Sequence, residues 1–231
     1  MHHLVNTHSD MNSLTTWRRG VGDSRSLPRI LALLLVSSTF ALAGEQESAG
    51  KFYFTANLGG SVAQDTTIKS TDAFITSGTI QFSAGGRLDV GFGYYFTDWL
   101  SAELETGFLI NLTKLEDGLS SGDVAYYQIP ILANLIYHIP TRSRFHPFVG
   151  AGFGGVESQL VNNDWISGRS ADDFGLAWQG MAGCRYQLSS KIDLGVAYKY
   201  LGTSDRTFDS FGITMKGTQT HSFTASFSMT F

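Results

Sequence analysis

The last ten residues, SFTASFSMTF from Ser222 to Phe231, alternate without a break. Phe223, Ala225, Phe227, Met229 and Phe231 are apolar. Thr224, Ser226, Ser228 and Thr230 between them are small and hydroxylic. A period of two places the two sets on opposite faces of a β-strand. One face suits hydrocarbon, the other suits polar surroundings, and the final residue is an aromatic.

The same alternation recurs upstream. It sets Phe52, Phe54, Ala56, Leu58 and Val62 on one face, and Phe82, Ala84, Leu88, Val90, Phe92, Tyr94 and Phe96 on another. It continues through Leu100–Leu112, Ile129–Tyr137, Val149–Phe153, Leu176–Leu188 and Ile192–Tyr200. With the terminal segment, this predicts about eight strands, each near the ~9–11 residues that cross a bilayer at a tilt. Connections alternate in length. Thr97-Asp98, Pro140–His146 and Ser189-Ser190 are short, whereas the links near Gln64–Thr79, Thr113–Gly122, Ser158–Asp172 and Gly202–Lys216 are long and polar. Short turns at one end and long loops at the other are the pattern of an outer-membrane barrel. Pro130 falls inside a strand, removes a ladder hydrogen bond and is expected to make a local bulge.

A soluble barrel turns its apolar face inward, and a membrane barrel turns it outward. The aromatics favour the second. Phe52, Tyr94, Phe96, Trp99, Tyr137, Phe145, Phe148, Tyr186 and Phe231 lie beside short turns or the chain end, and Phe108, Phe153, Trp178, Tyr198 and Tyr200 lie toward the other rim. Two such belts match the girdles at membrane interfaces. Charged residues make up 16% of the chain, below the about 25% usual for soluble domains.

The first 43 residues read as a cleavable helical signal peptide. Arg18, Arg19, Arg25 and Arg29 form a basic region, Ile30–Phe40 an apolar one, and Ala41-Leu42-Ala43 a small-x-small cleavage site. The mature barrel domain is then expected over 44–231, with translation starting at Met1 or Met11. Removing four Arg and two Asp leaves 12 basic against 18 acidic residues. That balance excludes a nucleic-acid partner, which needs a basic stripe. Cys184 is the single cysteine, so an internal disulfide is excluded, and no cofactor is expected.

The segments FGYYFTDWLSAELETGF (Phe92–Phe108), YYQIPILANLIYHIP (Tyr126–Pro140) and PFVGAGFGG (Pro147–Gly155), with terminal Phe231, resemble the small outer-membrane β-barrel proteins of Gram-negative bacteria, the OmpA/OmpX/OmpW-like group. The resemblance spans about Lys51 to Phe231. It implies an all-β, eight-stranded antiparallel up-and-down transmembrane barrel in the cell outer membrane. It also implies that Phe223, Phe227, Met229 and Phe231 carry the signal read by the barrel assembly machinery. Outer-membrane lipid and that machinery are the expected partners of a monomer.

The polar faces carry charge. Arg87, Asp89, Glu103, Glu105, Arg185, Asp193 and Lys199 are expected inside the barrel, where unpaired charges are costly and must pair. Asp89 should lie near Glu103 and Glu105, with Arg87 or Arg185 as their cation. Catalytic candidates are weak: His221 and Ser222 are neighbours on a strand and face opposite ways, and Asp172-Asp173 reads as a solvated loop pair. Loop residues Trp165 and Phe208 are candidate contact positions. The reading is a non-enzymatic barrel with a structural or surface-contact role. The alternatives are a narrow porin-like channel for small solutes and a lipid-modifying outer-membrane enzyme.

Overall fold

Alternation long enough to span a bilayer produces strands, and strands in hydrocarbon must pair on both edges. The computed structural model describes residues 48–70, 78–115, 124–162, 170–209 and 212–231. The proposed signal peptide and its cleavage site lie outside the described residues. The long strands are β1 (Phe52–Ala63), β4 (Gly85–Thr97), β5 (Leu100–Leu115), β6 (Val124–His138), β7 (Phe145–Asn162), β8 (Ser170–Gln187), β9 (Ile192–Thr203) and β12 (Gln219–Thr230). Each pairs antiparallel with its neighbours in the order β1-β4-β5-β6-β7-β8-β9-β12. The ring closes where β12 returns to β1, with Phe54 opposite Met229 and Leu58 opposite Ala225. The backbone N–H of Phe231 adds a last bond to the Phe52 carbonyl at 2.9 Å. This is the eight-stranded antiparallel barrel that the alternation predicts.

Three short strands lie in stretches expected to be loops, β2 (Thr66–Ser70), β10 (Arg206–Phe208) and β11 (Ile213–Met215), and a fourth, β3 (Gly78–Phe82), takes Phe82 out of the expected spanning strand and packs it against the interior cap and not on the lipid face. They are too short to span a membrane, so their alternation reads as polar loop. They form because β5 runs past the barrel wall and offers a free edge, on which Ile80 pairs with Leu115. From β3 the sheet continues through β2 and β11 to β10. Likewise β7 and β8 run as far as Asn162 and from Ser170, over part of the expected loop at 158–172.

The expected bulge at Pro130 is absent. Thr106 pairs with Ile131 and Leu109 with Gln128, so the register is unchanged across the proline. The ladder is interrupted instead, and the Thr106 hydroxyl donates to the Pro130 carbonyl at 2.9 Å. A local side-chain bond thus stands in for the lost backbone bond without a slip, which would have turned every later side chain to the wrong face. A register shift occurs between Tyr95 and Thr97, at the short turn.

The two faces are sharply divided. Leu58, Leu104, Val196 and Phe223 are 67%, 61%, 65% and 71% exposed on the outside. Arg87, Asp89 and Glu105 are at most 1% exposed on the inside. Outward aromatics cluster near the short-turn rim: Phe52 stacks on Phe92 at 5.5 Å, and Phe231 lies 6.2 Å from Phe92. Leu104 pairs with Phe92 and Ala133 well inside the spanning part of β5. Leu104→Arg is therefore expected to lower stability by about 2–4 kcal/mol, the cost of a cation on the lipid face near the midplane. Urea unfolding in lipid vesicles measures it.

Candidate functional site

Arg87 and Asp89 stand two apart on β4 and so share the inner face. The Arg87 Nε donates to both carboxylate oxygens of Asp89 at 2.9 and 2.8 Å, and Nη2 donates to Glu105 at 2.9 Å and to Gln179. Lys199, across the barrel on β9, donates to Asp89 and Glu105, each at 2.9 Å. Asn134 donates to Glu105 at 2.9 Å, and the Gln179 amide at 3.2 and 3.3 Å. Two cations face two carboxylates, so the cluster is neutral. It ties β4, β5, β6, β8 and β9 together through the centre. Gly107 lies opposite Asp89, and a Cβ there would strike the Asp89 carboxylate. At Gly91 a Cβ would sit 2.6 Å from the Thr55 hydroxyl and 2.7 Å from the Glu103 carboxyl carbon. Small residues here make room for long charged ones.

The remaining three expected interior charges, Glu103, Arg185 and Asp193, are also buried. They form a separate group nearer the short turns. Arg185 is not the cation of Asp89 or Glu105; Lys199 takes that place. Arg185 donates to the Tyr95 hydroxyl at 3.2 Å and lies over the rings of Tyr53 and Phe148, at 5.6 and 4.9 Å. Glu103 accepts from Thr55 at 3.2 Å. Tyr53, Ser101 and His138 form a chain of side-chain bonds at 3.0 and 2.9 Å. Phe148 therefore belongs to the interior and not to the outer aromatic belt. The period of two requires this, since Val149 beside it faces outward, and on the inside the ring meets the Arg185 guanidinium.

Apolar side chains also occupy the inside. Leu109, Leu132, Val156, Ala177 and Leu201 form one buried cluster, and Ile136, Phe148, Met181 and Ala197 another. At the long-loop end, Ile68, Ile80, Tyr126, Leu160, Phe208 and Met215 pack into a cap. Phe208 is fully buried there and is not a surface contact residue, whereas Trp165 lies outside the described residues. Alternation alone missed these groups. The signal was the two-faced stretch within β6, where Leu132 and Ile136 break the polar row of Gln128, Asn134 and His138.

Neither catalytic candidate assembles. The His221 Nδ1 lies 2.6 Å from the Tyr198 hydroxyl and its Nε2 lies 3.0 Å from the Gln64 amide. Ser222 is buried on the other face. Asp173 accepts the Thr207 backbone N–H at 3.0 Å. Among the described residues no group of three or more His, Cys, Asp and Glu side chains is arranged to hold a metal. Phe223, Phe227, Met229 and Phe231 form an exposed outward row on and just beyond β12.

The model of the outer membrane protein beta-barrel domain matches residues 30–231. Neisserial surface protein A has a similar structure, with a TM-score of 0.55, 18% identity, and coverage of 78% of this chain and 97% of that one. OprG from Pseudomonas aeruginosa is similar with a TM-score of 0.55 and 18% identity, over 81% of this chain and 99% of that one. The outer membrane protease OmpT of Escherichia coli gives a TM-score of 0.50 at 8% identity, over 84% and 100%. No curated protein matches the sequence.

Removing one member of a buried charged set leaves its partners uncompensated, at about 3–5 kcal/mol. Arg87→Ala should lose that much stability. Arg87→Ala with Asp89→Ala should lose less than the two single losses combined, because the residues are coupled. Urea unfolding of the three variants in vesicles tests the coupling.

Proposed function

The chain belongs to the outer membrane protein beta-barrel domain family, and we propose that within it the protein is a closed, non-enzymatic barrel with a structural or surface-contact role. The reading rests on one observation: side chains fill the interior at successive levels. The cap of Tyr126, Phe208 and Met215, the cluster around Leu132 and Leu201, the Arg87–Asp89–Glu105–Lys199 set and the layer of Ile136, Phe148 and Met181 follow one another from the long-loop end. An eight-stranded barrel is narrow enough for side chains to fill it. Passage of a solute would require breaking the charge cluster and moving three apolar layers.

The outer end favours surface contact. Acidic residues there fasten backbone: Asp65 accepts the Phe82 N–H at 3.0 Å and Asp205 accepts the Gly217 N–H at 2.8 Å. They hold the short strands β2, β3, β10 and β11 as an ordered extension of the sheet, a rigid base for the longer loops. Catalysis is disfavoured because His221 points into an outer aromatic group with Tyr198 and Tyr200, away from Ser222.

Planar-bilayer recording on the refolded protein is the test. The expected trace stays at baseline across moderate voltages. Reproducible, stable conductance steps would favour the narrow channel and contradict this reading.

A further inference from the structure

The short-turn end carries charge that the barrel itself does not use. Arg142 and Arg144 lie in the turn between β6 and β7, and Lys191 ends the turn between β8 and β9. All three are exposed. None of their side chains has a hydrogen-bond or ion-pair partner among the described residues. The one carboxylate on the short turns, among the described residues, is Asp98, and it is taken. Its Oδ1 accepts the Ser48 and Ala49 N–H groups at 2.6 and 2.9 Å. Asp193, two residues past Lys191, is buried inside the barrel.

Two features fix where these cations stand. The turns are neighbours, and local bonds hold them in shape. The Thr141 and Ser143 hydroxyls donate to the Phe145 carbonyl at 2.6 and 3.2 Å, and the Gln187 N–H donates to the Arg144 carbonyl at 2.8 Å. The Ser189 hydroxyl accepts the N–H groups of Lys191 and Ile192 at 3.3 and 3.1 Å. At the base of the same turns Phe145 lies opposite Tyr186, with ring centroids 5.0 Å apart. Outward aromatics at a barrel rim mark the boundary between hydrocarbon and headgroups. Arg144 follows Phe145 toward the periplasm by one residue, about 3.4 Å of strand. A long basic side chain at that level keeps its charge in the headgroup layer and its methylenes against hydrocarbon.

We propose that these two turns bind the headgroup of an anionic phospholipid in the periplasmic leaflet. Arg142, Arg144 and Lys191 hold its phosphate, and the Phe145–Tyr186 pair with exposed Leu188 meets the upper part of its acyl chains. Guanidinium donors match phosphate oxygens two at a time. The lipid is net anionic, because a zwitterionic headgroup would bring its own ammonium to three cations with no free carboxylate among the described turn residues. The level of the site favours lipid over a soluble periplasmic polymer, since the cations begin one residue beyond the aromatic belt. The site lies on the outer rim, so it stands whether the interior is closed or conducts.

Spin-labelled lipids test this on the refolded full barrel in phosphatidylcholine vesicles. Labelled phosphatidylglycerol and labelled phosphatidylethanolamine are added separately, and the motionally restricted fraction beside the protein is compared. Phosphatidylglycerol should be favoured at low salt, by about fivefold for each cation engaged, and the advantage should shrink as salt rises. Arg142→Gln/Arg144→Gln/Lys191→Gln should erase it. Lys69→Gln/Lys216→Gln, at the long-loop end, should keep it. Equal restriction of the two lipids by the unmodified barrel would overturn the proposal, the result expected if the cations serve a soluble anionic polymer instead. An advantage indifferent to salt, one that survives the triple substitution, or one that the Lys69/Lys216 variant loses would overturn it as well.

Discussion

A strand in hydrocarbon has no water to satisfy its backbone, so each N–H and C=O must find a partner in a neighbouring strand. The pairing of β12 with β1 meets that requirement, because it removes the two edges the sheet would otherwise expose. The continuous register from Tyr53 opposite Thr230 to Ala63 opposite Thr220 does this along the whole of both strands. Once the ring is closed, the faces are no longer equivalent. Every second side chain meets lipid, and the others share a narrow interior with no exit for their charges.

That enclosure explains the charge cluster. Arg87, Asp89, Glu105 and Lys199 come from three strands yet reach one another within 2.9 Å. Gly107 leaves the space that the Asp89 carboxylate occupies. The cluster is a consequence of closure and also a brace for it, since it joins strands that are not neighbours in the ladder. Apolar layers above and below it limit solvent, which strengthens the ion pairs and raises the penalty for losing one partner.

Much of this was legible in the sequence because its signal is local. Period-two alternation fixed which face of each strand meets lipid, and Leu58, Val90, Leu104, Leu135, Val196 and Phe223 all lie outside as that rule requires. The same rule put all seven candidate charges inside. Partner choice was less legible. Lys199 and not Arg185 joins Asp89, because the tilt and stagger of the strands decide which levels meet, and no single strand encodes that. Phe148 shows the limit of the aromatic-belt argument: its place near a turn is compatible with either face, and the alternation with outward Val149 is what turns it inward. The cap was hidden for another reason. Ile68, Phe208 and Met215 lie in segments of three to five residues, too short for periodicity to separate strand from loop.

The division into a lipid face and a sealed interior is tested most directly by methyl NMR of the unmodified barrel in nanodiscs containing lipids with a paramagnetic label on the acyl chain. The methyl groups of Leu58, Leu104 and Val196 should broaden strongly, while those of Leu132, Val156 and Leu201 stay sharp. Broadening of the second set with the first unaffected would mean that the barrel is turned inside out, and would contradict the account.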